Sequence, residues 1–243
     1  RPADSFEINF RRSAQWGGDG RPQSFSNFLE LLTGISDNCV AVSCKENEPG
    51  NQLGGIDIRW DIPWLKASVY GQAVGEDEAG GLPSKRANQL GMQFHIDQKW
   101  FEGTVFLEHD NTSLDTERKY NTLYNHSIYK TGYRYDGRVI GATWDNDSEV
   151  TSLGAVGYLD NGDIIEARYS FGDLNVDSIE PDLTSRHSIT NTKTKLNTFA
   201  AKWQRLFVWG EVEVEGRYTD QIIDQFGRQE DKLRVAASLN YYF

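Results

Sequence analysis

Leu233-Arg-Val-Ala-Ala-Ser-Leu-Asn-Tyr-Tyr-Phe243 closes the chain, and its side chains alternate. Leu233, Val235, Ala237, Leu239, Tyr241 and Phe243 fall at every second position, with Arg234, Ala236, Ser238, Asn240 and Tyr242 between them. A period of two describes a β-strand with one apolar and one mostly polar face. A strand with lipid on one side, a wet lumen on the other and a ring at the membrane edge carries this pattern.

The alternation recurs upstream. A first strand is expected over Ser5–Trp16, where Phe6, Ile8 and Phe10 oppose Glu7, Asn9 and Arg11. Ile56, Ile58, Trp60 and Ile62 oppose Gly55, Asp57, Arg59 and Asp61 until Pro63 breaks the strand. Leu65, Ala67, Val69, Gly71 and Ala73 then oppose Lys66, Ser68, Tyr70, Gln72 and Val74. Leu90, Met92, Phe94 and Ile96 define a fourth strand, and Phe101, Gly103, Val105 and Leu107 a fifth. Val150–Leu159, rich in Gly and Ala, is the sixth, and Asn161-Gly162 is a hairpin turn signal. The seventh carries Ile165, Ala167, Tyr169 and Phe171, the eighth runs over Lys195–Phe207, and the ninth over Val208–Tyr218.

This predicts about ten strands, each long enough to cross a tilted bilayer path. Their connections alternate between long and tight. The long ones are residues 17–50, the acidic and glycine-rich Gly75–Ser84, Asp110–Glu149, Asp173–Asn191 and Thr219–Asp231. Within residues 17–50, Ser24–Leu32 reads as a short helix with Ser24 as N-cap and Gly34 as stop. Short turns on one side and long loops on the other are the habit of a transmembrane barrel. The fold class is therefore all-β, an antiparallel transmembrane outer-membrane β-barrel, read as a single domain over residues 1–243. Residues 17–50 and 111–149 are its long extracellular loops, and the last strand runs down to a periplasmic rim. A soluble sandwich or lipocalin-like barrel is the competing fold. Asp57, Arg59, Glu102, Glu108, Glu166, Arg168, Glu211, Glu213 and Glu215 all sit on the polar faces. So many charges cannot fill a dry core, and a sheet in lipid must close to pair its backbone.

Composition is compatible with this. The chain has 243 residues, 38% apolar and 12% aromatic, with a mean hydropathy of −0.61. No apolar run is long enough for a transmembrane helix. A net charge of −11 removes nucleic acid as a partner, because phosphate binding needs a basic footprint. Cys39 and Cys44 form one local pair in a polar loop, which invites a disulfide in an oxidising compartment. The chain opens on Arg1-Pro2-Ala3-Asp4, as a secreted protein stripped of its signal would, or a piece of a longer chain.

Several stretches carry a family resemblance. They are Gly50-Asn-Gln-Leu-Gly-Gly-Ile-Asp-Ile-Arg-Trp60, Tyr70-Gly-Gln-Ala-Val-Gly-Glu-Asp-Glu-Ala-Gly80, Pro83-Ser84, Tyr133-Arg-Tyr-Asp-Gly-Arg-Val-Ile-Gly141 and Asp145-Asn-Asp-Ser148. Asp163–Asn175 and the terminal Phe243 belong with them. As a set they resemble the Wzi family of capsule-assembly outer-membrane proteins, over most of this chain. The resemblance implies a larger barrel, of about eighteen strands with helices plugging the lumen, of which this chain is the C-terminal half. It also implies an outer-membrane lectin that retains capsular polysaccharide at the cell surface, with outer-membrane lipid around it. The question for the fold is whether the first and last strands meet, as in a small closed barrel, or stay apart.

Candidate chemistry lies in the loops. Sugar binding uses aromatic faces for rings and carboxylates, amides or Arg for hydroxyls. The link 111–149 supplies Tyr120, Tyr124, Tyr129, Tyr133, Tyr135 and Trp144, beside Arg134, Arg138, Asp145, Asn146 and Asp147. The polysaccharide-contact set drawn from these is Tyr120, Tyr124, Tyr129, Arg134, Arg138, Trp144, Asp145 and Asp147. The competing reading is that the rings pack the loop onto the barrel rim. Asp145-Asn-Asp147 lacks the Gly and closing Glu of a calcium loop, so no metal is expected. No cofactor is expected either. His109, Asp110 and Ser113 invite a triad reading, but triads are geometric and no nucleophile elbow is present. Glu211, Glu213 and Glu215 form a lumen row, expected to be a hydrated lining with Arg or Lys partners on adjacent strands. The expected protein is not an enzyme, and a diffusion porin is the alternative function.

Overall fold

The fold was obtained as a computed structural model. It describes residues 3–18, 20–33, 50–79, 82–113, 123–126, 129–176, 187–221, 224–225, 228–229 and 232–241. The strands are β1 (Phe6–Trp16), β2 (Gly50–Ile62), β3 (Ala67–Ala79), β4 (Leu82–Gln98) and β5 (Phe101–Asn111). A small hairpin follows, β6 (Arg134–Tyr135) and β7 (Arg138–Val139), then β8 (Glu149–Leu159), β9 (Asp163–Leu174), β10 (Thr194–Phe207) and β11 (Gly210–Thr219). A second small pair, β12 (Asp224–Gln225) and β13 (Arg228–Gln229), precedes β14 (Leu233–Tyr241). The helix α1 (Phe25–Thr33) lies between β1 and β2.

The ten long strands form one antiparallel sheet in chain order, β1-β2-β3-β4-β5-β8-β9-β10-β11-β14. β1 and β14 are its two edges and do not pair with each other, so the sheet is open among the described residues. An unpaired edge is a template for pairing, and in lipid its backbone groups must be paired.

Paired residues share a face, so the register can be followed across the sheet. One row runs Phe6–Trp60–Val69–Met92–Leu107–Leu153–Tyr169–Phe199–Tyr218–Leu233. Every member is apolar or aromatic, and from Trp60 onward all are exposed, between 40% and 61%. A face this apolar, with no described residue covering it, needs hydrocarbon around it. The row also climbs. It lies two residues from the tight-turn end in β2 and β3, six in β4, β5, β8 and β9, and eight in β10, β11 and β14. Tilted strands with a constant direction of stagger are the geometry of a barrel wall.

The other face is a hydrogen-bonded polar surface. Arg11 pairs with Asp57, and Arg59 Nε donates to Asp61 Oδ1 at 2.8 Å. Lys202 Nζ is 2.6 Å from Glu166 and 3.9 Å from Glu213, and Gln204 donates to Glu211 at 2.6 Å. Of the expected glutamate row, Glu213 thus has a lysine and Glu211 an amide as partner, both from β10. Tyr70 lies across Gly91 to donate to Glu108 at 2.7 Å, two strands away; a Cβ at Gly91 would strike the Tyr70 ring. Phe106 lies over Gly154 in the same way, with the Arg168 guanidinium 5.1 Å from its ring.

Three expected boundaries shift. Gly75–Ser84 is not a loop: β3 continues to Ala79 and β4 begins at Leu82, with Glu76 opposite Lys85. Backbone pairing continues past the apolar alternation because the ladder needs no apolar pattern. Pro63–Leu65 forms a 3-10 turn with Lys66 left-handed, which puts Leu65 outside β3. Val208 belongs to a turn and is fully exposed, and β11 begins at Gly210. α1 is capped at Ser24, whose Oγ accepts the Asn27 N–H at 3.2 Å, and Phe28 packs edge-on against Trp16 at 5.3 Å.

Candidate functional site

At the loop end, the polar face becomes apolar. Leu53, Val74 and Ala87 lie there on β2, β3 and β4, and Val150, Leu174 and Leu196 on β8, β9 and β10. Each patch is covered by a loop. Leu123, Tyr124, Tyr133, Val139 and Ala142 pack onto the first, and Trp144 and Ile189 onto the second. The link after β5 therefore folds back onto the wall as a cap. It also reaches β1, where Tyr133 Oη donates to Ser13 Oγ at 2.5 Å and Gln15 donates to the Gly132 carbonyl at 2.7 Å.

Asp145 is the knot of this cap. It is fully buried with a left-handed backbone, φ +63°. Oδ1 accepts from Arg134 Nη2 at 3.0 Å and from the Asn146 N–H at 2.7 Å, while Oδ2 accepts from the Ser188 N–H at 2.5 Å. Its carbonyl accepts from Thr112 Oγ1 at 2.7 Å, at the end of β5. Arg134 is equally enclosed, at 5% side-chain exposure, and its Nη1 also donates to the Tyr124 carbonyl at 3.2 Å and to Asn125 Oδ1. One carboxylate thus joins the hairpin, its own turn and the residue 187–190 segment. Breaking such a buried pair costs about 3–5 kcal/mol, because the surviving charge is left unpaired.

His187 completes the knot. Its Nδ1 accepts the N–H groups of Ile189 and Thr190, both at 3.2 Å, and its Nε2 lies 3.2 Å from Ser148 Oγ. Burial lowers its pKa; the Asp145 carboxylate opposes that shift and the Arg134 guanidinium adds to it. The imidazole is therefore neutral at pH 7, with the proton on Nε2, since Nδ1 already accepts two donors.

The β6–β7 hairpin sits on this knot and has two faces. Asp136 and Gly137 are both left-handed, at φ +49° and +75°, which makes a two-residue turn of the I′ kind. Arg134 is paired with Val139 and both point into the cap; Tyr135 is paired with Arg138 and both point out. Tyr135 is 79% exposed and Arg138 is exposed beside it.

The expected contact residues separate into two layers. Arg138 is at the surface, and Tyr129 is half-buried under the Arg21 guanidinium, 5.4 Å from its ring. Tyr124, Arg134, Asp145 and Asp147 are buried, and Trp144 is half-buried against the second apolar patch. Tyr124 Oη accepts the Ala142 N–H at 3.0 Å, and the Asp147 carbonyl accepts the Val176 N–H at 2.9 Å. Tyr120, Cys39 and Cys44 lie outside the described residues. Pattern alone marks this loop as a contact surface; burial makes most of the marked residues its foundation. Tyr135 is among the aromatics the pattern offers but not in the contact set drawn from them, and His187 was not singled out. Asp136-Gly137 is a hairpin-turn dipeptide that would have placed Tyr135, whereas His187 has no local signal. His109 Nδ1 lies 3.0 Å from Thr151 Oγ1, while Ser113 Oγ donates to Asn111 at 3.0 Å, so the triad residues have separate partners.

A lipid-facing antiparallel wall, polar within and capped at its loop end, defines a segment of a transmembrane β-barrel. The family model for the capsule assembly protein Wzi matches residues 1–234, and the chain belongs to that family. A Klebsiella pneumoniae protein described as an uncharacterized 55.8 kDa protein in the cps region is 47% identical over 97 residues, 39% of this chain and 18% of that protein. A solved structure has the same fold with a TM-score of 0.78 at 24% identity, over 98% of this chain and 49% of that one. It is described as Wzi, an outer membrane protein involved in group 1 capsule assembly in Escherichia coli and a carbohydrate-binding β-barrel. This chain spans about half the length of that structure and a smaller share of the Klebsiella relative.

Proposed function

We propose that this chain is part of a bacterial outer-membrane barrel that binds capsular polysaccharide at its cap, holds it at the cell surface and catalyses no reaction on it. The observation that carries the reading is the cap: a knotted, buried foundation presenting an outward Tyr135 and Arg138 above a lipid-facing belt. An exposed ring offers its face to a sugar ring, and a guanidinium offers directed donors to hydroxyls or carboxylates. The carbohydrate binding ascribed to the Escherichia coli structure supports the same reading. Outer-membrane lipid would surround the exposed apolar row. The intact protein in detergent, passed over immobilised capsular polysaccharide, tests this: retention is expected, and no retention by folded protein overturns it. The porin alternative draws on the charged polar face, and steady single-channel conductance in a planar bilayer would favour it.

A further inference from the structure

We infer that Asp145 and Arg134 are positioning residues for a glycan-contact element formed by Tyr135 and Arg138, an inference that rests on the polysaccharide-binding reading. The hairpin alternates around its turn, so one paired couple must point inward for the other to point outward. A two-stranded hairpin of this size has little stability of its own. It is fixed by what its inward couple holds. Arg134 is held by Asp145, Asn125 and the Tyr124 carbonyl, and Val139 packs on the Leu53 patch. Two backbone bonds close the base, Tyr133 N–H to the Tyr124 carbonyl at 2.6 Å and Ile140 N–H to the Tyr133 carbonyl at 2.9 Å.

Fixing the hairpin has a consequence for binding. Tyr135 and Arg138 stand opposite each other across the pair, with Cβ atoms about 4.5–5.5 Å apart. A sugar ring stacked on Tyr135 then has the Arg138 guanidinium at its edge. If the hairpin were loose, that juxtaposition would have to be ordered at the moment of binding, at a cost in affinity. Asp145 never touches the glycan; it supplies the order beforehand.

The experiment uses the intact protein and two readouts. Hydrogen exchange of segment 133–140, without ligand, reports hairpin order. Retention on immobilised capsular polysaccharide reports binding. Asp145→Asn removes the charge that holds Arg134 and is expected to speed exchange at least about tenfold and weaken binding about tenfold, while exchange in β8–β11 stays as in the parent. Tyr135→Ala and Arg138→Ala are expected to weaken binding without changing exchange. Unchanged exchange in Asp145→Asn overturns the positioning role whatever the glycan result. Unchanged binding in Tyr135→Ala and Arg138→Ala overturns the contact role. If the parent protein itself retains no polysaccharide while Asp145→Asn loosens the hairpin, the functional reading fails and the positioning of the hairpin stands.

Discussion

Met92 and Gln93 are neighbours in sequence and face opposite solvents, so a charge at each tests which face meets lipid. Met92 belongs to the apolar row between Val69 and Leu107; Gln93 lies between Ser68 and Phe106 on the polar face, its amide 3.3 Å from His95. Met92 lies six residues from the end of β4. At about 3.3 Å per residue and a tilt near 40°, that is about 15 Å above the turn end, close to the middle of an apolar band about 25 Å tall. Arginine at mid-membrane on the lipid face of a barrel costs about 2–4 kcal/mol, a factor of about 30 to 900 in the folding equilibrium. Gln93→Arg on the wetted face is expected to stay within about 1 kcal/mol. Because the row climbs, Arg at Trp60 or Tyr218 should cost only about 0–1 kcal/mol. Guanidinium titration of the intact protein in phosphatidylcholine vesicles measures all four. A flat profile along the row would refute the tilt, and equal costs at Met92 and Gln93 would refute the face assignment.

The other expectations are more local. Gly154→Val places a side chain where the Phe106 ring lies and should destabilise by about 1–3 kcal/mol, with loss of the near-ultraviolet signal of that ring. His187 has a depressed pKa in the folded cap, so its contribution is complete above the unfolded value of about 6.5 and is lost as pH falls toward the folded value. Limited proteolysis of residues 187–194 should accelerate below about pH 6 and not at pH 8, and His187→Gln should flatten that profile. Lys202→Ala leaves Glu166 and Glu213 facing each other without their shared cation; with all three partly exposed, a loss of about 1 kcal/mol or less is expected by denaturant titration.

The wall was legible because it obeys one rule. Side chains alternate on a strand, so a lipid face and a wet face write themselves into every second residue, and nine of the ten long strands are legible in this way; β8, rich in Gly and Ala, shows no clear face in its sequence. What alternation misses is where pairing ends. β3 and β4 continue through an acidic, glycine-rich stretch because ladder bonds are made by backbone, and polarity says nothing against them. Val208 reads as one more apolar step, yet it sits in the turn. For the last strand, with which the pattern began, the open question was its partner: among the described residues Leu233–Tyr241 pairs with β11 and stays apart from β1.

The loop was harder because its order is long-range. Asp145 is bonded to groups 11 and 43 residues away, and no window along the chain contains both. One clue was present at a distance from it. Leu53, Val74, Val150, Leu174 and Leu196 are apolar residues on strands whose remaining same-face positions are mostly polar or glycine. On a face meant for water, such residues at the loop end must be covered, and here the links that follow β5 and β9 cover them. A carboxylate between those links is then placed to be buried, and a buried carboxylate needs a cation and N–H donors. The aromatic and charged residues of the link are therefore divided by necessity: those that satisfy the wall and the carboxylate face down, and Tyr135 and Arg138, paired beyond a left-handed turn, are directed outward.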